Sequence, residues 1–287
     1  MSFSDVVASK KFILLAEMET PKGVDISAFV ENARRVKGRV DAVLVPDMSH
    51  AVMRMSTLAG AALLKQQGLA VVAEVSCRDR NRLALQGDML GAAVLGVNTL
   101  VPVTGEPVNM GDQLGAVAVN DLDPLAVLAA AGRMSRGEDM SGIPLKGSPE
   151  FCLGYRVASW QDAAGKELAQ AKEAVDNGAK FILTPPVFDL GPFQVFMKIA
   201  EALGVPVIPS VILLKSVGMA RYISQHIKGI KIGEETISRI RTAKDRPAEC
   251  IKIAAETING LKDLAGGALI VTTGWENRLP EILEAVA

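Results

Sequence analysis

Several things are scarce in this chain, and each scarcity closes off a class of function. Aromatic residues are only 4% of its 287 residues, too few for a base-stacking surface. Charge of one sign is lacking: 31 Lys and Arg oppose 32 Asp and Glu, for a net charge of -1. Nucleic acid as a partner would call for a basic face, so none is expected. The three cysteines, Cys77, Cys152 and Cys250, are odd in number and share no metal-type spacing. A disulfide framework and a structural zinc site are therefore not expected. The two histidines, His50 and His226, stand far apart, which argues against His-based metal chemistry. No apolar run reaches the ~20 residues of a membrane span. The opening Met1-Ser2-Phe3-Ser4-Asp5 has no basic segment ahead of an apolar core, so no signal peptide is read there. A soluble cytoplasmic protein without a membrane partner is the expectation. No Gly-, Pro- or Ser-rich linker divides residues 1–287, which read as one domain.

What the chain does have is a repeated rhythm. With 49% hydrophobic and 22% charged residues, its composition is that of a globular protein. Short apolar runs at 12–18, 42–45, 70–77, 99–103, 150–157, 181–184, 207–213 and 268–272 read as strands. Helical patterns follow them at 25–36, 49–67, 80–95, 124–134, 166–177, 192–203, 217–226, 234–262 (interrupted near 245–247) and 280–286. The strands are continuous apolar runs rather than clean alternations, as buried parallel strands should be. Eight strand–helix units of this kind predict a (β/α)8 barrel of the α/β class. An open doubly wound sheet would need a glycine fingerprint after the first strand. The turn there, Glu17-Met18-Glu19-Thr20-Pro21-Lys22-Gly23, has none.

In such a barrel the chemistry lies at the C-terminal ends of the strands. Polar residues collected there include Glu17, Glu19, Asp47, Glu74, Thr104, Glu106, Tyr155, Arg156, Lys215, Glu276 and Arg278. Glu17 comes first after its apolar run and is the candidate inward carboxylate. Partial burial would raise its pKa and suit it to general acid work; a solvated rim carboxylate is the alternative. Glu74 sits inside Val71-Val72-Ala73-Glu74-Val75, where a charge needs a ligand or a partner such as Arg156 or Lys215. In Thr104-Gly105-Glu106-Pro107, glycine permits close backbone approach to a ligand, though a plain loop reads equally well. Cys77 has no histidine nearby in sequence to activate it and reads as a buried inert thiol. The mixed-sign run Arg78-Asp79-Arg80-Asn81-Arg82 reads as a solvated helix start with local pairing.

Taken together, these segments resemble the methylenetetrahydrofolate reductases, flavin-dependent (β/α)8 barrels of one-carbon metabolism. The resemblance spans nearly the whole chain. It is carried by Glu17 with Pro21 and Lys22, by Ser76-Cys77-Arg78-Asp79-Arg80-Asn81-Arg82, and by Thr104-Gly105-Glu106-Pro107. Thr184-Pro185-Pro186-Val187-Phe188-Asp189 and Gly274-Trp275-Glu276-Asn277-Arg278 complete it. The Cys-Arg-Asp-Arg-Asn-Arg run and the terminal Trp-Glu are similar to an anaerobe branch. The resemblance implies FAD as cofactor and reduction of methylenetetrahydrofolate, or a related reduced pterin, to its methyl form. It implies Glu17 as general acid and Glu106 as a second catalytic residue, with Glu17, Glu106 and Arg278 on the substrate. Asp47, Glu74, Thr104, Gly105 and Tyr155 would be the flavin-binding set. NAD(P)H or reduced ferredoxin would supply electrons, an iron–sulfur and zinc subunit would be a partner, and self-association follows by analogy. The chain departs from the family pattern at Pro46 (usually Thr), Glu74 (His or Gln), Glu106 (Asp) and Pro185 (Gln). Those departures motivate an alternative: a flavin-less barrel that binds reduced pterin for a methyltransferase or a partner subunit.

Overall fold

In a computed structural model describing residues 2–161, 165–227 and 230–286, eight parallel strands close in sequence order into a barrel. They are β1 (Ile13–Glu17), β2 (Ala42–Val45), β3 (Val71–Ser76), β4 (Thr99–Val103), β5 (Cys152–Arg156), β6 (Ala179–Pro186), β7 (Val207–Ile212) and β8 (Gly267–Val271). β8 pairs with β1 to complete the wall. The helices are α1 (Phe3–Ser9), α2 (Ser27–Val36), α3 (Thr57–Gln66), α4 (Arg82–Val94), α5 (Pro124–Ser135), α6 (Lys166–Asp176), α7 (Leu190–Ala200), α8 (Val217–His226), α9 (Glu234–Thr242), α10 (Arg246–Leu261) and α11 (Leu279–Ala285). The predicted (β/α)8 barrel is the fold. Among the described residues, no helix is long and apolar enough to cross a membrane.

Local chemistry sets the helix starts. Asn81, Asp123, Asp189, Ser216 and Asp245 each accept a backbone N–H of the first turn, satisfying a donor the helix cannot. The Asp189 cap begins α7 two residues ahead of the predicted 192. Two stretches differ more. The predicted helix 49–67 is a helix only from Thr57, where Ser56 caps it. Before it, Met48, His50 and Ala51 take left-handed backbone conformations that break any helix. α1 was not legible as an element: it is one short segment, closed by a reciprocal cap between Ser2 and Asp5.

Alternation along the strands divides the core in two. Ala16, Val43, Val45, Ala73, Leu100, Leu153 and Tyr155 face the helices, in the larger apolar cluster. Ile13, Leu15, Leu44, Val72, Val101, Phe181, Leu183, Ile208 and Leu269 fill the barrel. From below, Phe3 of α1 meets Phe181 edge to face, with ring centroids 5.7 Å apart. Gly154 makes room for Phe181: a Cβ on Gly154 would lie 2.3 Å from the ring.

Strand register fixes what lies above. Glu17 is opposite Leu44, and Leu44 opposite Val72. Glu74 is opposite Val101, Arg156 opposite Leu183, and Ser210 opposite Leu269. Strands in such a barrel are tilted, so a level cut climbs along the strands, and inward residues stack in layers from alternate strands. Leu44, Val101, Leu183 and Leu269, all fully buried, form one layer. Glu17, Glu74, Arg156 and Ser210 form the next layer toward the C-terminal ends.

Candidate active site at the barrel mouth

This upper layer puts two carboxylates and a guanidinium on an apolar floor. Arg156 donates from Nη2 and Nε to Oε1 of Glu74, at 2.6 and 3.0 Å. The buried charge of Glu74 thus has a protein partner, and that partner is Arg156 rather than Lys215. Lys215 instead donates to the Thr273 carbonyl and sits 5.3 Å from the centroid of the Trp275 ring. Ser210 Oγ donates to the Thr184 carbonyl at 2.9 Å.

Burial pushes the Glu17 carboxyl up to about 8, and the Glu74 carboxylate adds to the shift while Arg156 opposes it. Glu19 and Glu276 push in the same direction as Glu74. Burial also raises Glu74, against the pull of Arg156. Arg156 stays above its ordinary value: burial disfavours its charge, but Glu74 and Glu17 outweigh that cost.

The wall beside this layer is tied by charged hydrogen bonds. Asp47, buried at the β2 exit, accepts from Ser76 N at 2.8 Å, Thr57 Oγ1 at 2.9 Å and Arg80 Nη1 at 2.6 Å. Arg78 is buried too. It donates from Nε and Nη2 to Asp79, both at 2.7 Å, and from Nη1 to the Glu106 carbonyl at 2.8 Å. The run 78–82 is thus only partly a solvated helix start: Arg82, paired with Asp121, fits that reading, but Arg78 and Arg80 are drawn inward to build the site wall. The signal for Arg78 was parity, since positions 74, 76 and 78 share a face while the strand continues.

The turn after β4 approaches this wall closely. Gly105 has φ +81°, and a Cβ there would lie 2.8 Å from Ser76 Oγ and 3.1 Å from Arg78 Cβ. Ser76 Oγ itself is buried and has no hydrogen-bond partner among the described residues. Around the rim, Glu19 pairs with Arg54 at 2.7 Å and accepts from Ser49 at 2.8 Å. Lys22 pairs with Asp112, whose other oxygen accepts from Met53 N at 3.0 Å. The loops after β1, β2 and β4 therefore form one collar.

The remaining sequence candidates fall in different places. Glu106 is partly buried, and its charge bears on Glu74, Arg78 and Arg156. Thr104 is exposed at the mouth. Tyr155 lies on the outer face of β5, buried in the helix layer, where burial pushes its phenol up to about 12. Arg278 pairs with Glu281 of α11 at 2.8 Å, and no hydrogen bond or ion pair joins it to Glu17 or Glu106 among the described residues. Cys77 is a buried thiol that burial pushes up to about 12, too high for a resting thiolate. No group of three or more His, Cys, Asp or Glu side chains among the described residues could hold a metal ion.

The sequence profile of the methylenetetrahydrofolate reductases matches residues 2–269, nearly the whole barrel. The chain belongs to the methylenetetrahydrofolate reductase family. Comparison with curated proteins finds no match. Among solved structures, a Clostridium thermocellum protein that binds two copies of 5-methyl-5,6,7,8-tetrahydrofolic acid superposes with a TM-score of 0.66 at 11% identity. The match covers 99% of this chain and 97% of that one. An F420-dependent secondary alcohol dehydrogenase, in complex with an F420–acetone adduct, follows at TM-score 0.59 and 11% identity, covering 96% and 99%. The EDTA monooxygenase EmoA of Chelativorans sp. BNC1 gives 0.58 at 10% identity, covering 96% and 93%. At these identities the likeness is one of fold. Family membership supports a folate-related function of the methylenetetrahydrofolate reductase type.

Proposed function

We propose that this protein reduces methylenetetrahydrofolate, or a closely related reduced pterin, to its methyl form, with Glu17 as general acid. The observation that carries this reading is Glu17 itself: an inward carboxyl on an apolar floor, with a pKa raised to about 8 and so protonated at neutral pH. Its proton would pass to a nitrogen of the bridging ring, breaking a carbon–nitrogen bond and leaving an electrophilic one-carbon unit. The carboxylate left behind would stand beside the positive charge that forms. Addition of one hydride then gives the methyl group, so proton and hydride together balance the reduction. The Clostridium thermocellum neighbour, which binds a methyl pterin on the same fold, supports this substrate class.

Reduced FAD would supply the hydride. The residues able to receive it are Thr104, Gly105 and Ser76. The bare α-carbon of Gly105 permits close approach, and the Ser76 hydroxyl beside it, without a hydrogen-bond partner among the described residues, would be available to a ligand. Asp47 and Glu74 would shape that wall rather than donate to the ligand, and Tyr155 would back it from the helix side. Glu106, whose charge already bears on Glu74 and Arg156, is the candidate to orient substrate from the β4 turn.

A second reading is favoured by one observation. Asp47 and Glu74 are already engaged by the protein, and Tyr155 faces away from the mouth. That suits a barrel that binds reduced pterin without flavin and serves a methyltransferase or an iron–sulfur partner. Anaerobic titration with FAD, followed by addition of methylenetetrahydrofolate to the reduced protein, separates the two. Flavin absorption bands and methyl product are expected. A colourless protein that ignores FAD yet binds reduced pterin in calorimetry would establish the second reading instead.

A further inference from the structure

We propose that Glu74, held by Arg156, is a positioning residue that keeps the Glu17 carboxyl in its neutral form. This deepens the reading of Glu17 as proton donor and rests on it for its purpose, though the charge relation can be tested without turnover.

The argument is geometric. Glu17, Glu74, Arg156 and Ser210 occupy one layer of the barrel. The layer beneath is four fully buried aliphatic side chains, which offer a charge no solvation. Ser210 spends its hydroxyl proton on the Thr184 carbonyl and has none for Glu17. Among the described residues, Arg156 is a cation whose field reaches Glu17, and it turns both Nε and Nη2 onto Oε1 of Glu74. Glu74 therefore acts twice. It occupies the guanidinium edge that would otherwise pair with Glu17, and it adds a negative charge to the same layer.

The surrounding charges do not reverse this. In the loop after β1, Glu19 pairs with Arg54 and also disfavours ionisation of Glu17. Beyond β8, Glu276 accepts from Gly274 N and also disfavours ionisation of Glu17. Glu106, from the β4 turn, and Asp47, from the β2 exit, bear on Glu74. With one guanidinium among two carboxyls, a single proton leaves the layer neutral, and Glu17, the carboxyl that does not hold Arg156, carries it.

The test is a titration of the Glu17 carboxyl by carbon NMR of 13C-glutamate-labelled protein, without flavin or folate, with the signal assigned by its loss in Glu17→Gln. Glu74→Gln keeps an oxygen for Arg156 and removes the charge, whereas Glu74→Asp keeps the charge. The Glu17 midpoint is expected to fall by at least about one pH unit, tenfold in its acid constant, in Glu74→Gln. In Glu74→Asp it is expected to stay near that of the unaltered protein. An unchanged midpoint in Glu74→Gln, or an equal fall in both variants, would overturn the proposal. Because the readout is a protonation state, a protein without reductase activity would refute the proposed function and leave this result standing.

Discussion

The lower barrel and its mouth are built from the same strands, yet they obey different rules. Below, the inward positions are apolar or lack a side chain, apart from Thr99: Leu15, Val72, Gly154 and Ile208 lie under Leu44, Val101, Leu183 and Leu269, with Phe181 and Phe3 closing the bottom. One residue pair higher on the odd-numbered strands, the inward positions become Glu17, Glu74, Arg156 and Ser210. The apolar layers give the ionisable layer its properties, since a carboxyl above them cannot be solvated from below. The difference teaches that stability and chemistry are separable along the barrel axis: changes below should alter folding, and changes above should alter charge and catalysis.

The largest expected effect breaks the lower half. Gly154→Val places side-chain atoms where Phe181 sits, and should cost about 3 kcal/mol or more by overpacking, read as a lower urea midpoint. The next effect comes from the mouth. Glu17 titrates near 8 when folded and near the ordinary 4.5 when unfolded, so the folded state holds an extra proton between those values. The stabilisation from that proton is full below about pH 4.5 and is lost as pH rises through about 8, on the order of 2 kcal/mol once solvent at the open mouth is allowed for. Glu17→Gln, which cannot ionise, should lack this decline, so urea midpoints of the two proteins should diverge between pH 5 and pH 8 in favour of the variant.

Smaller effects sharpen the boundary. Gly105→Ala forces a Cβ against Ser76 at a positive φ and should cost about 1–2 kcal/mol. Its larger signature should be weakened flavin binding, measured by titration of FAD. Lys22→Ala removes a half-exposed ion pair from the collar and should change thermal stability by less than about 1 kcal/mol.

Much of this division could be read in the sequence, because strand continuity and helix punctuation are local signals. All eight strands fell within a few residues of their observed bounds, and Glu17 and Glu74 stood out as charges ending or interrupting apolar runs. What was missed depends on contacts distant in sequence. In Cys-Leu-Gly-Tyr-Arg, period two puts Tyr155 and Arg156 on opposite faces, but neither pattern nor composition says which face is inward. Gly154, which admits Phe181, and Glu74, which binds Arg156, decide it. The burial of Arg78 and Arg80 depends likewise on Asp47 and on the carbonyl of Glu106, which lie far from them in sequence. The left-handed turn at 48–51 carries no glycine or proline to announce it, and it packs against Gly111, where a Cβ would meet the Ala51 carbonyl at 1.8 Å.

The central claim is that a neutral carboxyl at the mouth, Glu17, gives up the proton that opens the folate ring. Its most direct test is an anaerobic half-reaction measurement on the unaltered protein and on Glu17→Gln, following flavin reduction and folate reduction separately. Flavin reduction should proceed at a similar rate in both, while the folate step should slow by about 10²–10⁴-fold in the variant, the range general acid catalysis commands. Folate reduction at full rate in Glu17→Gln would contradict the account.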